Sequence, residues 1–238
     1  MGLRALSRSR AAVGCTLLGA VAVGAVFAVG WRVAMAIRAS AVTAHPLFLG
    51  GFGQLIYLVA LVLLVALLTL VWYPFGAGVA YAVGRQARGG NATLVGSLRA
   101  VRNAVIPLAR WLKTLVAIGP VAERVRSEND VGQNEVAAGC EKFVVAAIML
   151  DSPTDLAHAV ERANRLPPEP GRERVLLVGI GGTAVAVAAV GVGGYLVPSL
   201  PFSTAVSLSL GLAVIGVVVS AAVDAAWRAQ AYASADVP

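Results

Sequence analysis

The segment VLLVGIGGTAVAV, residues 175–187, contains Gly179, Gly181 and Ala184 in the spacing G-x-G-x-x-A. This spacing is typical of the phosphate-binding turn of dinucleotide-binding βαβ units. Such a unit also needs an acidic residue about 20 residues further on, to bind the ribose. Residues 199–205 read SLPFSTA and contain no acid. The motif therefore predicts no cofactor, and its glycines mark an apolar segment that a neighbouring helix can approach closely.

His158 lies three residues after Asp155 and three before Glu161, so the three side chains share one face of a helix. Such a face could do acid–base chemistry or hold a metal ion. The segment has no H-E-x-x-H motif, however, and the only other histidine, His45, stands alone. A solvated helix surface is the simpler interpretation. Together with Asp151, these residues are the whole basis for an enzyme hypothesis, and we predict no catalytic residue and no metal site.

Two ionisable residues in apolar segments are the remaining polar candidates, since charges inside membrane segments are usually functional. Asp224 is followed four residues later by Arg228, and an ion pair at a helix end explains it without a function. Glu141 lies in the apolar segment 136–150 and would need a partner if that segment were embedded in a membrane. The natural partners are three arginines, Arg99, Arg102 and Arg110.

The composition places these residues in a membrane protein. Of the 238 residues, 58% are hydrophobic and 13% are charged, whereas a soluble domain has about 25% charged residues. The mean hydropathy is +0.81. The two cysteines, Cys15 and Cys140, are not spaced as metal ligands, and we expect them to be unpaired apolar thiols.

Four segments are apolar over the length of about 20 residues that a helix needs to cross a bilayer. They are 11–31, 53–83, 175–198 and 204–227. The second is longer than the bilayer requires and contains Pro74, which predicts a kink or a helix that projects past the membrane. The first follows three arginines, as a signal peptide would, but it is longer than the roughly 7–15 residues of a cleavable one. We therefore expect an uncleaved anchor.

The basic residues predict the orientation of these spans. Of the 19 lysine and arginine residues, 13 lie between residues 85 and 174. The segment between the first two spans contains only two, Arg32 and Arg38. Because positive residues stay in the cytoplasm, both termini and the central region are predicted to be cytoplasmic, in a multi-pass protein of the cell membrane. The net charge of +7 then faces anionic headgroups. No aromatic and basic platform for nucleic acid is present.

We therefore predict an all-α, polytopic transmembrane helical bundle with four spans and two amphipathic or partly embedded segments. Residues 1–84 form two transmembrane helices, residues 85–174 a basic central region, and residues 175–238 a transmembrane hairpin with a short tail.

Within the central region, apolar residues from Leu94 to Leu115 recur every three or four positions. This spacing predicts an amphipathic helix bent at Pro107, which either packs on the spans or lies in the membrane interface. If this segment and 136–150 were both embedded, the chain would have six segments. A further helix is predicted from a cap at Ser152 to about Leu166.

Three motifs of the central region resemble a broad group of prokaryotic polytopic membrane proteins of unknown function. They are Gly96-Ser97-Leu98-Arg99-Ala100, the apolar run Phe143-Val144-Val145-Ala146-Ala147 with the turn Asp151-Ser152-Pro153, and the helix Ala157-His158-Ala159-Val160-Glu161-Arg162. Ala146 stands where that group has proline. The resemblance covers residues 55–166. It implies a helical bundle of six segments and brings no activity with it.

Small residues form one stripe on each helix of the C-terminal hairpin. The stripe of the third span is Gly182, Ala186, Ala189 and Gly193, and that of the last span is Ser209, Ala213, Gly216 and Ser220. Since small residues let helix backbones approach in lipid, we predict that the two stripes meet. A contact between the subunits of a homo-oligomer, or with a membrane-protein partner, is the alternative.

Three functional hypotheses follow. The first is a non-catalytic integral membrane protein that organises the membrane or partner proteins, favoured by the absence of a catalytic set of residues. The second is a transporter or a permease subunit, which would need a polar cavity at mid-membrane containing Glu141 or Asp224. The third is a membrane-embedded enzyme.

Overall fold

The computed structural model describes residues 2–43, 50–117, 141–151, 155–165, 179, 181–185, 187–188, 191–192, 194 and 202–235. Of the described residues 93% are helical, and none of them forms a strand. The predicted all-α class is therefore confirmed.

The structure gives the bounds of eight helices within the described residues. They are α1 (Gly2–Arg8), α2 (Arg10–Thr43), α3 (Gly50–Ala87), α4 (Leu94–Asn103), α5 (Val105–Ala117), α6 (Glu141–Leu150), α7 (Leu156–Asn164) and α8 (Phe202–Ser234). The described residues of 179–194 are helical as well. This order matches the expected succession of long apolar and short amphipathic helices.

Three of these helices contain segments long and apolar enough to cross a membrane: Arg10–Ser40 of α2, Gly53–Ala87 of α3 and Val206–Ser234 of α8. They correspond to the first, second and fourth predicted spans. The third predicted span, 175–198, lies largely outside the described residues.

Contacts divide the chain into two compact units, and each long helix contributes to both. Unit 1 comprises Met1–Thr16, Phe75–Val178 and Ser220–Pro238, and unit 2 comprises Leu17–Pro74 and Gly179–Val219. Both units are therefore assembled from segments that are distant in sequence. Unit 1 draws on all three predicted parts of the chain, and unit 2 on the first and the last.

Unit 1 has a close-packed core of small side chains and a few large ones. A Cβ added at Gly78 would lie 3.1 Å from the sulfur of Cys15 and 3.7 Å from Val101. Cys15, Trp111 and Tyr232 are almost completely buried. Alanine and glycine at the crossing points let the backbones of α2, α3, α4 and α8 approach, which leaves room for the aromatic rings.

Unit 2 leaves most of its large apolar side chains exposed. We call 17–31 of α2, 55–74 of α3 and 204–219 of α8 the charge-free segments, because none of them contains an Asp, Glu, Lys or Arg. Their exposed side chains include Val21, Val62 and Ile215, at 71%, 68% and 55% of full exposure. Three such surfaces could not remain in water without aggregation.

Helix α3 runs without interruption through Pro74, and its two halves differ in burial. Most large side chains from Leu55 to Leu70 are exposed, with Leu64 an exception, whereas Ala77 and Val83 are almost fully buried in unit 1. The excess length predicted for this segment therefore belongs to a helix that continues into a packed core.

The structure corrects two predictions about the central region. The helix from Leu94 breaks at Ala104 rather than at Pro107. A proline ring clashes with the carbonyl four residues earlier, so Pro107 is tolerated in the first turn of a new helix and ends the old one just before Ala104. The cap predicted at Ser152 is also wrong, because Asp155 is the N-cap of α7 and accepts a hydrogen bond from the Ala157 amide at 3.0 Å.

Candidate functional site

Asp151 follows the last residue of α6, and its backbone N–H donates to the carbonyl of Ala147 at 3.0 Å. The side chain is only 10% exposed. A carboxylate at a helix C-terminus is repelled by the partial negative charge of that end. Asp151 therefore requires donors from other elements of unit 1.

Three side chains supply these donors. Arg88 donates from Nη1 to Oδ1 at 2.6 Å and from Nη2 to Oδ2 at 3.1 Å. Tyr232 donates its hydroxyl to Oδ2 at 2.6 Å, and Nη1 of Arg162 lies 3.1 Å from the same oxygen. We call these four residues the Asp151 cluster. Its forked arginine–carboxylate pair is the strongest type of charged hydrogen bond in proteins.

A tight turn at the end of α3 places Arg88. Gly90 N–H donates to the carbonyl of Arg85 at 2.9 Å, and Gly89 N–H to that of Gln86 at 3.0 Å, which together form a Schellman cap. Gly89 has a φ of 78°, a conformation that side chains with a Cβ rarely adopt. This local geometry ends α3 and directs the Arg88 side chain toward α6.

Tyr232 and Arg162 come from two further helices. Tyr232 lies in the last turns of α8 with its side chain almost completely buried, and the guanidinium carbon of Arg88 lies 5.8 Å from the centre of its ring. This is the geometry of a cation–π contact. Arg162 lies in the last turn of α7. The Asp151 cluster thus joins the ends of α3, α6, α7 and α8.

The cluster is charged at neutral pH. Burial is the largest influence on the pKa of Asp151 and raises it, but hydrogen bonds from Arg88, Tyr232 and Arg162 together outweigh burial and hold that pKa below its ordinary value. The pKa of Arg88 is raised, chiefly by its hydrogen bond to Asp151. The two oxygens of this carboxylate have four contacts with donors in all, so the group carries no proton to give and is weakly basic. Such a carboxylate suits a structural junction rather than a catalytic acid or base.

This geometry predicts how stability depends on pH. The pKa of Asp151 is lower in the folded state than the ordinary value of 3.8, so its contribution is complete above that pH and is lost as the pH falls through the folded pKa. We expect the difference in thermal midpoint between the wild type and Asp151→Asn to be constant from about pH 7 to about pH 5 and to shrink below about pH 4. A difference that already shrinks above pH 5 would contradict this assignment.

Asp224 and Glu141, the two polar candidates from the sequence, are not part of the Asp151 cluster as the structure describes it. Nη2 of Arg228 lies 2.5 Å from Oδ2 of Asp224, which confirms the ion pair. The pair is not at the helix end, however, because α8 continues to Ser234. Glu141 is the first residue of α6, and its side chain is outside the part that the structure describes.

The residues of the enzyme hypothesis do not converge on one site. Asp151 is held by its cluster, and the Asp155 side chain caps α7. Nδ1 of His158 lies 3.8 Å from Glu161 with both side chains about half exposed. Among the described residues no group of three His, Cys, Asp or Glu is close enough to hold a metal ion.

The small-residue stripes are described only in part. Ala186, Ala189 and Gly193 lie outside the described residues, and a Cβ added at Gly182 would meet no atom within 4 Å. A Cβ added at Gly216 would lie 2.9 Å from that of Thr183.

In the last span, Ser209 and Ser220 are buried, in unit 2 and unit 1 respectively, and Ala213 is half-buried. The closest described approach of the hairpin helices in unit 2 therefore runs through Thr183 and Gly216.

An open cavity of about 390 Å³ lies in unit 1 between α1, the end of α3 and α8. Its polar lining is Arg4, Arg8, Gln86 and Gln230. Gln86 donates to the carbonyl of Arg8 at 3.3 Å, and the side-chain oxygen of Gln230 is buried without a hydrogen-bond partner. Neither Glu141 nor Asp224 is among the described residues that line this cavity, so it is not the cavity that the transporter hypothesis names.

Sequence reasoning did not find the Asp151 cluster. Arg88 is 63 residues from Asp151 and Tyr232 is 81 residues from it, so no local spacing links them. The available signal was an acid directly after an apolar helix, where the helix end disfavours it.

Comparisons of the chain with protein-family models, curated proteins and solved structures found no match.

Proposed function

We propose that this protein is a non-catalytic, multi-pass integral membrane protein whose unit 1 is a rigid cytoplasmic platform that organises the adjoining membrane or partner proteins. In this proposal the chain crosses the bilayer four times, and the fourth crossing is made by residues 175–198. The other helices of the central region remain on the cytoplasmic side, packed in unit 1.

The observation that carries the membrane assignment is the exposure of the charge-free segments. They are 15, 20 and 16 residues long, or about 22–30 Å as helix, close to the hydrocarbon thickness of about 30 Å. Burial increases where two of these helices enter unit 1, from Ala77 onward in α3 and from Ser220 onward in α8. Side chains facing lipid need no protein neighbours, whereas those of unit 1 have them.

Charge supports the proposed orientation. All lysine and arginine residues belong to unit 1 except Arg32 and Arg38, which lie in the part of α2 beyond its charge-free segment. Positive residues are retained in the cytoplasm during insertion. Unit 1, with both termini, is therefore assigned to the cytoplasm, where anionic headgroups complement its charge.

The Asp151 cluster supports a platform rather than a catalyst. The carboxylate of Asp151 holds four helix ends together. The exposed surface of unit 1 is then left to contact other molecules. A homo-oligomer or a membrane-protein partner is the proposed occupant of that surface.

Cysteine accessibility tests the topology. In a Cys15→Ala, Cys140→Ser background, single cysteines replace Ser7, Thr43, Ser199 or Ser234, and intact cells receive a membrane-impermeant maleimide. We expect labelling at 43 and 199, and labelling at 7 and 234 only after the membrane is permeabilised.

The parity of the spans makes this test decisive. Three crossings instead of four would place positions 7 and 234 on opposite sides of the membrane. Release of the protein by an alkaline carbonate wash would contradict membrane integration altogether.

A further inference from the structure

Helices α4 and α5 bury one face and expose another that is unusually apolar. Ser97, Val101, Leu108 and Trp111 are buried in unit 1. Val95, Leu98, Val105 and Ile106 are exposed, and Val95 and Ile106 exceed 60% of full exposure. The buried positions Ser97, Val101, Ala104, Leu108 and Trp111 step by four, three, four and three residues, so one face stays buried through the break. This face includes Val101 and Leu108 of the predicted stripe but leaves Leu98 and Val105 outside the core.

Basic side chains surround these apolar ones. Arg99, Arg102 and Lys113 are exposed on the same helices, and neither α4 nor α5 contains an acidic residue. Within the described part of the chain, no ion pair holds these three groups. We call Val95, Leu98, Val105 and Ile106, with Arg99, Arg102 and Lys113, the α4–α5 surface.

Contacts of α4 with α2 and α3 show where along these two long helices α4 packs. A Cβ added at Gly14 would lie 3.2 Å from the side chain of Leu94, and one at Gly78 would lie 3.7 Å from Val101. Gly14 is three residues before Leu17, and Gly78 is four residues after Pro74. At 1.5 Å per residue along α2 and α3, these two contact points are therefore about 5–6 Å from Leu17 and Pro74, where two charge-free segments end.

This distance matches the headgroup layer. A bilayer is about 40–45 Å thick in total and about 30 Å in its hydrocarbon, which leaves roughly 5–8 Å of interface on each side. Helices with one apolar and one basic set of residues bind in this layer, with apolar side chains at the acyl boundary and cations among the headgroups.

We propose that the α4–α5 surface lies in the cytoplasmic headgroup layer, inserts its four apolar side chains and binds anionic phospholipid through Arg99, Arg102 and Lys113. The inference rests on the membrane assignment and orientation of the proposed function. A bilayer is favoured over a soluble partner because α4 contacts α2 and α3 only three and four residues from their charge-free segments, and because the basic surface complements the negative charge of that leaflet.

Depth-dependent quenching tests the proposal in the full-length protein. Single cysteines at Val105, Val62 or Ser7, in the Cys15→Ala, Cys140→Ser background, carry a bimane label. The protein is reconstituted in phosphatidylcholine–phosphatidylglycerol vesicles with acyl chains brominated near the headgroup for positions 105 and 7, and near the middle of the chain for position 62. We expect at least about twofold quenching at position 105 and at position 62, which is in a charge-free segment, and none at position 7, on α1.

The three positions separate the two proposals. Quenching at 62 without quenching at 105 overturns the interfacial assignment and leaves the membrane assignment intact. Absence of quenching at 62 overturns the membrane assignment itself. Quenching of position 105 by aqueous iodide instead of brominated lipid would show that the surface faces water.

Lipid charge tests the role of the basic residues. We expect quenching at 105 to fall by about half in vesicles of phosphatidylcholine alone, and equally in a variant with Arg99→Gln, Arg102→Gln and Lys113→Gln. Quenching that is independent of both changes would overturn the assignment of these side chains to anionic headgroups. Circular dichroism of the variant checks that its helices are retained.

Discussion

Replacement of Asp151 by asparagine is expected to lower the free energy of unfolding by about 2 kcal/mol, measured by reversible unfolding in mixed detergent micelles. Asparagine has nearly the same shape as aspartate but only one acceptor oxygen. Whichever way the amide turns, its NH₂ group would face a guanidinium group, which can only donate: Arg88 at one oxygen position, and Arg88 with Arg162 at the other. Charged hydrogen bonds would be replaced by a contact between donors.

The loss is not larger because the arginines reach water. The side chains of Arg88 and Arg162 are 39% and 29% exposed, so they can be hydrated when the carboxylate is removed. A fully buried cation left without a partner would cost more, about 3–5 kcal/mol.

Glu161→Gln is the matched control for this variant. Glu161 pairs with Arg165 at 2.8 Å, four residues apart on α7, and both side chains are more than half exposed. Exposed pairs of this type contribute about 0.3–0.5 kcal/mol. Equal effects of Asp151→Asn and Glu161→Gln would mean that the Asp151 cluster does not hold the helix ends together.

Replacement of Gly216 by leucine is expected to lower the free energy of unfolding by about 1–3 kcal/mol, the usual range for an overpacked contact. An added Cβ would collide with Thr183, whose short branched side chain also donates to the carbonyl of Gly179 at 2.7 Å. Because Thr183 cannot move aside without breaking that hydrogen bond, the two helices must separate. Thermal unfolding in detergent measures the change.

Gly211→Leu is the control, since Gly211 lies in the same helix and a Cβ there would meet no atom within 4 Å. It is expected to leave stability unchanged or slightly higher, because leucine favours helix more than glycine does. Unchanged stability of Gly216→Leu would refute the packing role of this glycine. A lower oligomeric state with unchanged stability would instead assign Gly216 to a contact between subunits.

Some features could be predicted from the residues alone because they depend on local properties. Uninterrupted apolar runs determine long helices, and an acid and an arginine four residues apart on a helix must be neighbours, as Asp224 and Arg228 are. Hydropathy does not distinguish exposed residues, such as Leu70, from equally apolar residues such as Val83 that pack in a core.

By itself, the sequence determined that this chain is helical, apolar enough for a membrane, and basic in its centre, since composition and periodicity act over one or two helical turns. Only the tertiary structure decided that α3 and α8 extend into a packed unit, that Leu98 and Val105 of the apolar stripe are exposed, and that Asp151 meets Arg88, Arg162 and Tyr232. These outcomes depend on which helix ends come together in space. The fit of small residues at the helix crossings determines which ends meet, and this fit cannot be read from the spacing of residues along the chain.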